Sequence, residues 1–252
     1  MRIGLLLMFG FLSLGAMAQE GQFLDFKELI KEEEGKGVGF VPDKYTVLPV
    51  DRWVYVTDKE GRQIIVSSNG RFAIAGEFKF VDLWRVEKIT GHEAAEKASI
   101  IPMDRLDRGG KQIAGLLWGK PYSEQSEKPP VYVFTDPLCK TCQRFIEHLE
   151  KTNLYKEHTF KFVYFPAVKK ESKDVIKAFH CGADSVKYEA LKTGVVKGGR
   201  SGQCNFADMV AAVAVAEKIG IKRVPFVVNS QGEAQSFGDE EFKDIGKFLN
   251  AN

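Results

Sequence analysis

The sequence predicts an α+β protein in which a small antiparallel sheet precedes a larger mixed domain. Three observations predict it. Between Val47 and Phe80 short β-rich runs alternate with turn residues, and Asn69-Gly70 between apolar stretches is the strongest short hairpin signal. From Val131 onward the pattern becomes strand, helix, strand. All four cysteines, Cys139, Cys142, Cys181 and Cys204, lie in that second half, so thiol chemistry is confined to it.

The chain opens with one charged residue, Arg2, an apolar run from Ile3 to about Leu14, and then Ala16-Met17-Ala18. These are the parts of a secretory signal peptide cut after Ala18. The alternative is a membrane anchor, but at roughly a dozen residues the run is shorter than the ~20 needed to span a bilayer. The expectation is an exported protein, not embedded in a membrane, that loses residues 1–18. Its 36 basic and 34 acidic side chains give a net charge of +2, and removing Arg2 leaves +1. Such a balance offers no electrostatic reason to expect nucleic acid or anionic lipid as partner. Of 252 residues, 234 lie beyond position 18, more than a typical domain of ~100–150, which favours two domains. The expected divisions are an N-terminal sheet domain over 19–85, a helical linker over 86–128 and a larger domain over 129–252.

Residues 20–35 space their apolar side chains at helical intervals and predict a short amphipathic helix. Residues 53–57, 63–66 and 72–76 read as strands, separated by turn residues at 58–61 and 68–70. A sheet of about 60 residues buries little surface alone and therefore depends on association. Residues 82–128 are charged, with partial helical periodicity at 92–98 and 111–118. Pro102, Gly109-Gly110 and residues 119–130 interrupt them, predicting a helical connector followed by a loop. Val131-Tyr132-Val133-Phe134 is a continuous β-branched and aromatic run, short enough to be a buried strand. Residues 135–138 break it, and a helix is predicted over 139–158 with Phe145, Ile146 and Leu149 on one face. A second strand at 160–165, helices at 174–193 and 205–219, a third strand at 226–228 and a closing helix at 240–249 follow.

The chemistry resides in Cys139-Lys140-Thr141-Cys142. A thiolate, not a thiol, attacks disulfides, so a redox cysteine needs a lowered pKa. A helix N-terminus supplies unpaired N–H groups and a favourable dipole, and Cys139 is predicted to sit there. Cys142 lies one turn behind, where it can resolve a mixed disulfide, and Lys140 adds a positive charge. Alone, C-x-x-C is a weak signal. Half a zinc site has the same spacing, but zinc would need two further ligands at matching spacing. The other candidates are a cysteine pair 23 residues apart and the scattered His92, His148, His158 and His180, so no metal and no organic cofactor is expected. A purely structural 139–142 disulfide is a further alternative, disfavoured by the strain of so small a ring. Four exported cysteines would form two disulfides in one of three connectivities, and local spacing favours one of them.

Arg223-Val224-Pro225-Phe226 precedes an apolar strand. Proline at the start of a strand is a candidate for a cis bond. Facing the C-x-x-C helix start, such a loop would offer the backbone of Val224 to an extended substrate chain. Asp136, three residues before Cys139, is a candidate for proton transfer from the resolving thiol; a loop or capping carboxylate is the plainer reading.

Together, the run from Val131 to Cys142, then Cys181 and Cys204, then Val224-Pro225 and Asn229-Ser230-Gln231-Gly232, resembles the thioredoxin-like catalytic domain of the periplasmic DsbC and DsbG disulfide isomerases. The run from Ile65 to Gly76 is similar to the strand pair of that family's dimerisation domain. The resemblance implies a thioredoxin-like catalytic domain with a helical insertion, a cystatin-like N-terminal dimerisation domain, a periplasmic V-shaped homodimer and re-reduction by a DsbD-like membrane reductase. It also implies a structural disulfide between Cys181 and Cys204; two free buried thiols or a second redox pair are the other readings. Lys140-Thr141 and Val224 depart from the family pattern, since these isomerases carry Thr before the proline and DsbA-like oxidases carry Val. Isomerase or reductase is thus the expected activity. A thiol oxidase and a chaperone-like binding dimer with incidental thiol turnover are the alternatives.

Overall fold

The computed structural model describes residues 42–48, 53–67, 73–75, 78–107, 113, 115–121, 128–168, 171–182, 184–195 and 206–250. The expected signal peptide, the helix at 20–35, the turn at 68–70 and Cys204 lie outside the described residues.

Four antiparallel strands, β1 (Pro42–Val47), β2 (Val54–Asp58), β3 (Gln63–Val66) and β4 (Ala73–Ala75), form the first sheet in that order. Successive side chains of a strand point to opposite faces. Val54, Val56, Ile64 and Val66 therefore cluster on one face, while Tyr55 and Ile65 meet Ile89 and Ala95 on the other. Helix α1 (His92–Ser99) supplies Ala95, which is wholly buried. Before it stands a hairpin of β5 (Phe80–Asp82) and β6 (Glu87–Ile89). A short helix, α2 (Met103–Asp107), follows.

The second sheet has five strands: β7 (Leu116–Gly119), β8 (Val131–Thr135), β9 (Thr159–Tyr164), β10 (Phe226–Val228) and β11 (Ala234–Ser236). Their order is β11-β10-β8-β9-β7, with β8 and β9 parallel and the other pairs antiparallel. The helices are α3 (Lys140–Lys151), α4 (Leu154–Glu157), α5 (Ser172–His180), α6 (Asp184–Thr193), α7 (Phe206–Ile219) and α8 (Ile245–Leu249), with a 3-10 helix at Asp239–Asp244. A parallel strand-helix-strand unit joined to an antiparallel hairpin and a closing helix is the thioredoxin-like topology expected, here with β7 added at one edge.

The sheet is covered on both faces. Val131 and Val133 pack with Phe145, Ile146 and Leu149 of α3 and with Ile176 and Phe179 of α5. Tyr132 and Phe134 pack with Ala212, Ala216 and Ile219 of α7, and with Ile101 and Leu106 from around α2. This explains the unbroken apolar run in β8, every residue of which is buried.

Three expectations change. The helical reading of 111–118 gives way to strand β7 at its end, because Leu116 pairs with Phe162 and Trp118 stacks on Tyr155 with ring centroids 5.1 Å apart. The long helix at 139–158 stops at Lys151, where Asn153 takes a left-handed conformation (φ 60°), and resumes as α4. The single helix at 174–193 is two, α5 and α6.

Candidate active site

Strand pairing brings the two motifs together. Because β10 runs antiparallel to β8 with Phe226 opposite Phe134, the residues just before Phe226 lie beside those just after Phe134. Val224-Pro225, joined by a cis peptide bond, is thereby set beside the loop that leads into α3. The Sγ of Cys139 lies 3.7 Å from the carbonyl oxygen of Val224.

Cys139 is the N-cap of α3, and the Cys142 N–H donates to its sulfur over 3.1 Å. Three consecutive residues, Lys140, Thr141 and Cys142, open the helix and have no preceding turn to bond to, so their N–H groups point toward this end. The two cysteines are disulfide-bonded, with Cα atoms 5.2 Å apart. Both residues are buried, Cys139 at 6% exposure and Cys142 at 2%, and Cys139, which lines the cleft, is the outer of the two.

Asp136 is buried, and its carboxylate is committed to backbone. One oxygen accepts from Leu138 N–H at 2.8 Å and the other from Ala167 and Val168 N–H at 2.9 Å each. It thus ties the loop before Cys139 to the loop after β9. Gln143 adds a second tie, donating to the Pro137 carbonyl at 2.9 Å and accepting from Lys140 Nζ at 3.2 Å. Gly194 closes over both: at φ +71°, a Cβ there would stand 2.7 Å from the Pro137 oxygen and 2.6 Å from the Gln143 amide nitrogen.

A cleft opens above Cys139, lined among others by Thr141, Val168, Arg223, Val224, Gly238 and Asp239. Its far wall is fixed by Arg144, which donates to both carboxylate oxygens of Asp239 at 2.8 and 2.6 Å and to Thr141 Oγ1 at 3.2 Å. These bonds hold the Asp239 carboxyl below the usual carboxylate range. No sequence signal marks this pair, since 95 residues separate its members and neither belongs to a motif.

Cys181 is buried and disulfide-bonded; Cys204, its expected partner, lies outside the described residues. His148 and His158 stand away from the cleft, on Phe242 and Phe160 respectively, and burial lowers the pKa of each. His92 bridges Thr46 and Glu96 beside the first sheet. Among the described residues no group of three or more His, Cys, Asp or Glu side chains could hold a metal ion, and no helix is long and apolar enough to cross a membrane.

No family model and no curated protein matches the chain. Among solved structures it is similar to a disulfide interchange protein from Neisseria gonorrhoeae, at 19% identity over 55% of this chain and 96% of that one, with a TM-score of 0.43. The catalytic domain of Proteus mirabilis ScsC shares 16% identity over 59% of this chain and 96% of its own, with a TM-score of 0.42. Helicobacter pylori DsbG shares 17% over 80% of this chain and 97% of its own, with a TM-score of 0.30.

Proposed function

We propose that this chain is a thiol-disulfide oxidoreductase that acts on exported proteins in the isomerase and reductase direction. One observation carries the reading: the outer sulfur, Cys139, caps a helix and receives a backbone N–H while lying beside the Val224 carbonyl. The helix N-terminus favours a thiolate at Cys139, and the adjacent loop offers main-chain groups for an extended substrate.

In the reduced protein the Cys139 thiolate attacks one sulfur of a substrate disulfide. The substrate S–S bond breaks, a mixed disulfide forms and the second substrate sulfur leaves as thiolate. In the reductase route the Cys142 thiolate then attacks Cys139, closing the 139–142 disulfide and releasing the first substrate sulfur. Two electrons pass from the dithiol to the substrate, and an external dithiol, such as a DsbD-like membrane reductase, must restore them. In isomerisation the substrate's own thiolate displaces Cys139 instead, with no net electron transfer. Cys139 and Cys142 are the catalytic residues of this scheme, Val224 and Pro225 bind substrate, and Cys181–Cys204 is a structural disulfide. Removal of residues 1–18, periplasmic location and homodimerisation through the first sheet complete the proposal.

A second reading, thiol oxidase, is favoured by Val224 before the proline, the residue that DsbA-like oxidases carry there. Electrons would then flow from substrate dithiols into the 139–142 disulfide. Trapping with Cys142→Ala tests the first reading: attached proteins with several non-consecutive disulfides support isomerisation, and a single cysteine supports reductive protection. A reduction potential well above that of the compartment, with the pair disulfide-bonded in vivo, would replace the proposal with the oxidase.

A further inference from the structure

Beside Cys139 the cleft lining carries two cationic side chains, Lys222 and Arg223. Arg223 immediately precedes Val224, whose carbonyl is 3.7 Å from the Cys139 sulfur. The Arg223 backbone is held in place, its carbonyl accepting from Ser236 Oγ at 3.2 Å. Its guanidinium reaches across toward the 3-10 helix, where Nη2 lies 3.8 Å from the point a Cβ on Gly238 would occupy. With no side chain at Gly238, the space under the guanidinium stays open to the cleft.

Two acidic side chains stand near this guanidinium. Asp239 gives both oxygens to Arg144. Glu241 accepts the Gly238 N–H through Oε2, which lies 3.3 Å from that same Cβ point and forms no ion pair with Arg223. Among the described residues no carboxylate pairs with Arg223. Lys140, directly after Cys139, bonds the neutral Gln143 amide oxygen among the described residues. On the other side Val168, 44% exposed, supplies an apolar surface.

We infer that the cleft selects substrate cysteines flanked by an acidic side chain, with Arg223 as the recognition group. This rests on the thiol-disulfide reading above and specifies its substrate class. An extended chain advances ~3.3 Å per residue, so a Glu or Asp one or two residues from the attacked cysteine comes within reach of Arg223. A guanidinium can receive such a carboxylate through two parallel hydrogen bonds, which gives orientation as well as attraction. Lys140 extends the favourable field and speeds encounter with the same substrates.

The test uses the full chain, pre-reduced, and three mixed-disulfide peptides that differ only in whether Glu, Gln or Lys flanks the cysteine. Single-turnover rates are read by stopped flow at low and high salt. The Glu peptide should react about five- to tenfold faster than the Gln peptide at low salt, with Lys slowest, and the spread should shrink as salt screens the charges. Arg223→Gln should bring the Glu:Gln ratio close to one, while Arg223→Lys, which keeps the charge but loses the two-point fork, should give an intermediate ratio. Equal rates for the Glu and Gln peptides, or a ratio untouched by Arg223→Gln, would overturn the inference with the oxidoreductase reading intact. If the reduced protein opens none of the three peptides, the oxidoreductase reading itself falls and this inference with it.

Discussion

The sulfur of Cys139 and the carbonyl of Val224 lie 3.7 Å apart although 85 residues separate them in sequence. Antiparallel pairing of β10 with β8 produces this proximity, so attack and substrate alignment are coupled through the sheet. Cys139→Ala should reduce disulfide exchange to the background rate while leaving the unfolding midpoint in urea close to that of the parent. Cys142→Ala should instead accumulate a mixed disulfide on Cys139, visible as a mass increase that a reductant reverses. Retention of full turnover by Cys139→Ala would refute the proposed enzyme.

Asp136 accepts three backbone N–H bonds from two loops. Asp136→Asn would turn an NH2 group toward donors that need an acceptor. Leaving a buried donor unsatisfied costs about 1–3 kcal/mol, and urea denaturation should register a loss of that order. The expected role is positioning. A stability unchanged by Asp136→Asn, with resolution of the mixed disulfide slowed, would assign it to proton transfer instead.

Gly194 occupies left-handed backbone directly over the Pro137 carbonyl and the Gln143 amide. Gly194→Ala combines a conformational penalty with a steric one, and the expected loss is about 1–3 kcal/mol. The displaced Pro137 loop should also slow alkylation of reduced Cys139. Thermal unfolding and iodoacetamide kinetics on the same sample check both effects.

Arg144 and Asp239 are each half exposed, so their attachment stabilises only modestly despite its two-point geometry. Arg144→Ala should shift the chemical denaturation midpoint only slightly. It should also release the Asp239 carboxyl toward the ordinary carboxylate value, detectable by NMR titration. An unmoved Asp239 titration would show that the pair does not persist in solution.

Burial lowers the pKa of His158, and among the described residues its Nε2 has no hydrogen-bond partner. The unfolded chain, with a value near ~6.5, therefore binds this proton at higher pH than the fold does. Stability consequently rises with pH across that window. The contribution is complete above about pH 6.5 and is lost as pH falls through the folded value. His148 has the same sign. His158→Leu should narrow the gap between urea midpoints at pH 7.5 and 5.5, and a gap of unchanged size would assign the acid sensitivity to other groups.

Legibility in the sequence followed how local each feature is. The strand at 131–134 was readable because burial on both faces demands an unbroken apolar run, and the cysteine pair because its geometry is set within one helical turn. Strand β11 is Ala-Gln-Ser, half-buried throughout, and offers no alternation to read; only pairing with β10 defines it. Residues 116–119 carry an apolar spacing that fits a helix until Phe162 and Tyr155 are present to pair with. The Arg144–Asp239 wall and the commitment of Asp136 to residues 167 and 168 required the folded chain, since each joins segments with no sequence relation.

Synthesis runs from one end of the chain to the other, and this has a consequence for when the reactive pocket exists. Val224 leaves the ribosome 85 residues after Cys139, a delay of roughly 4–17 s at ~5–20 residues per second. Throughout that interval the two sulfurs lack the loop that aligns a target. A newborn molecule is thus chemically blunt toward its neighbours until its own strand order is complete.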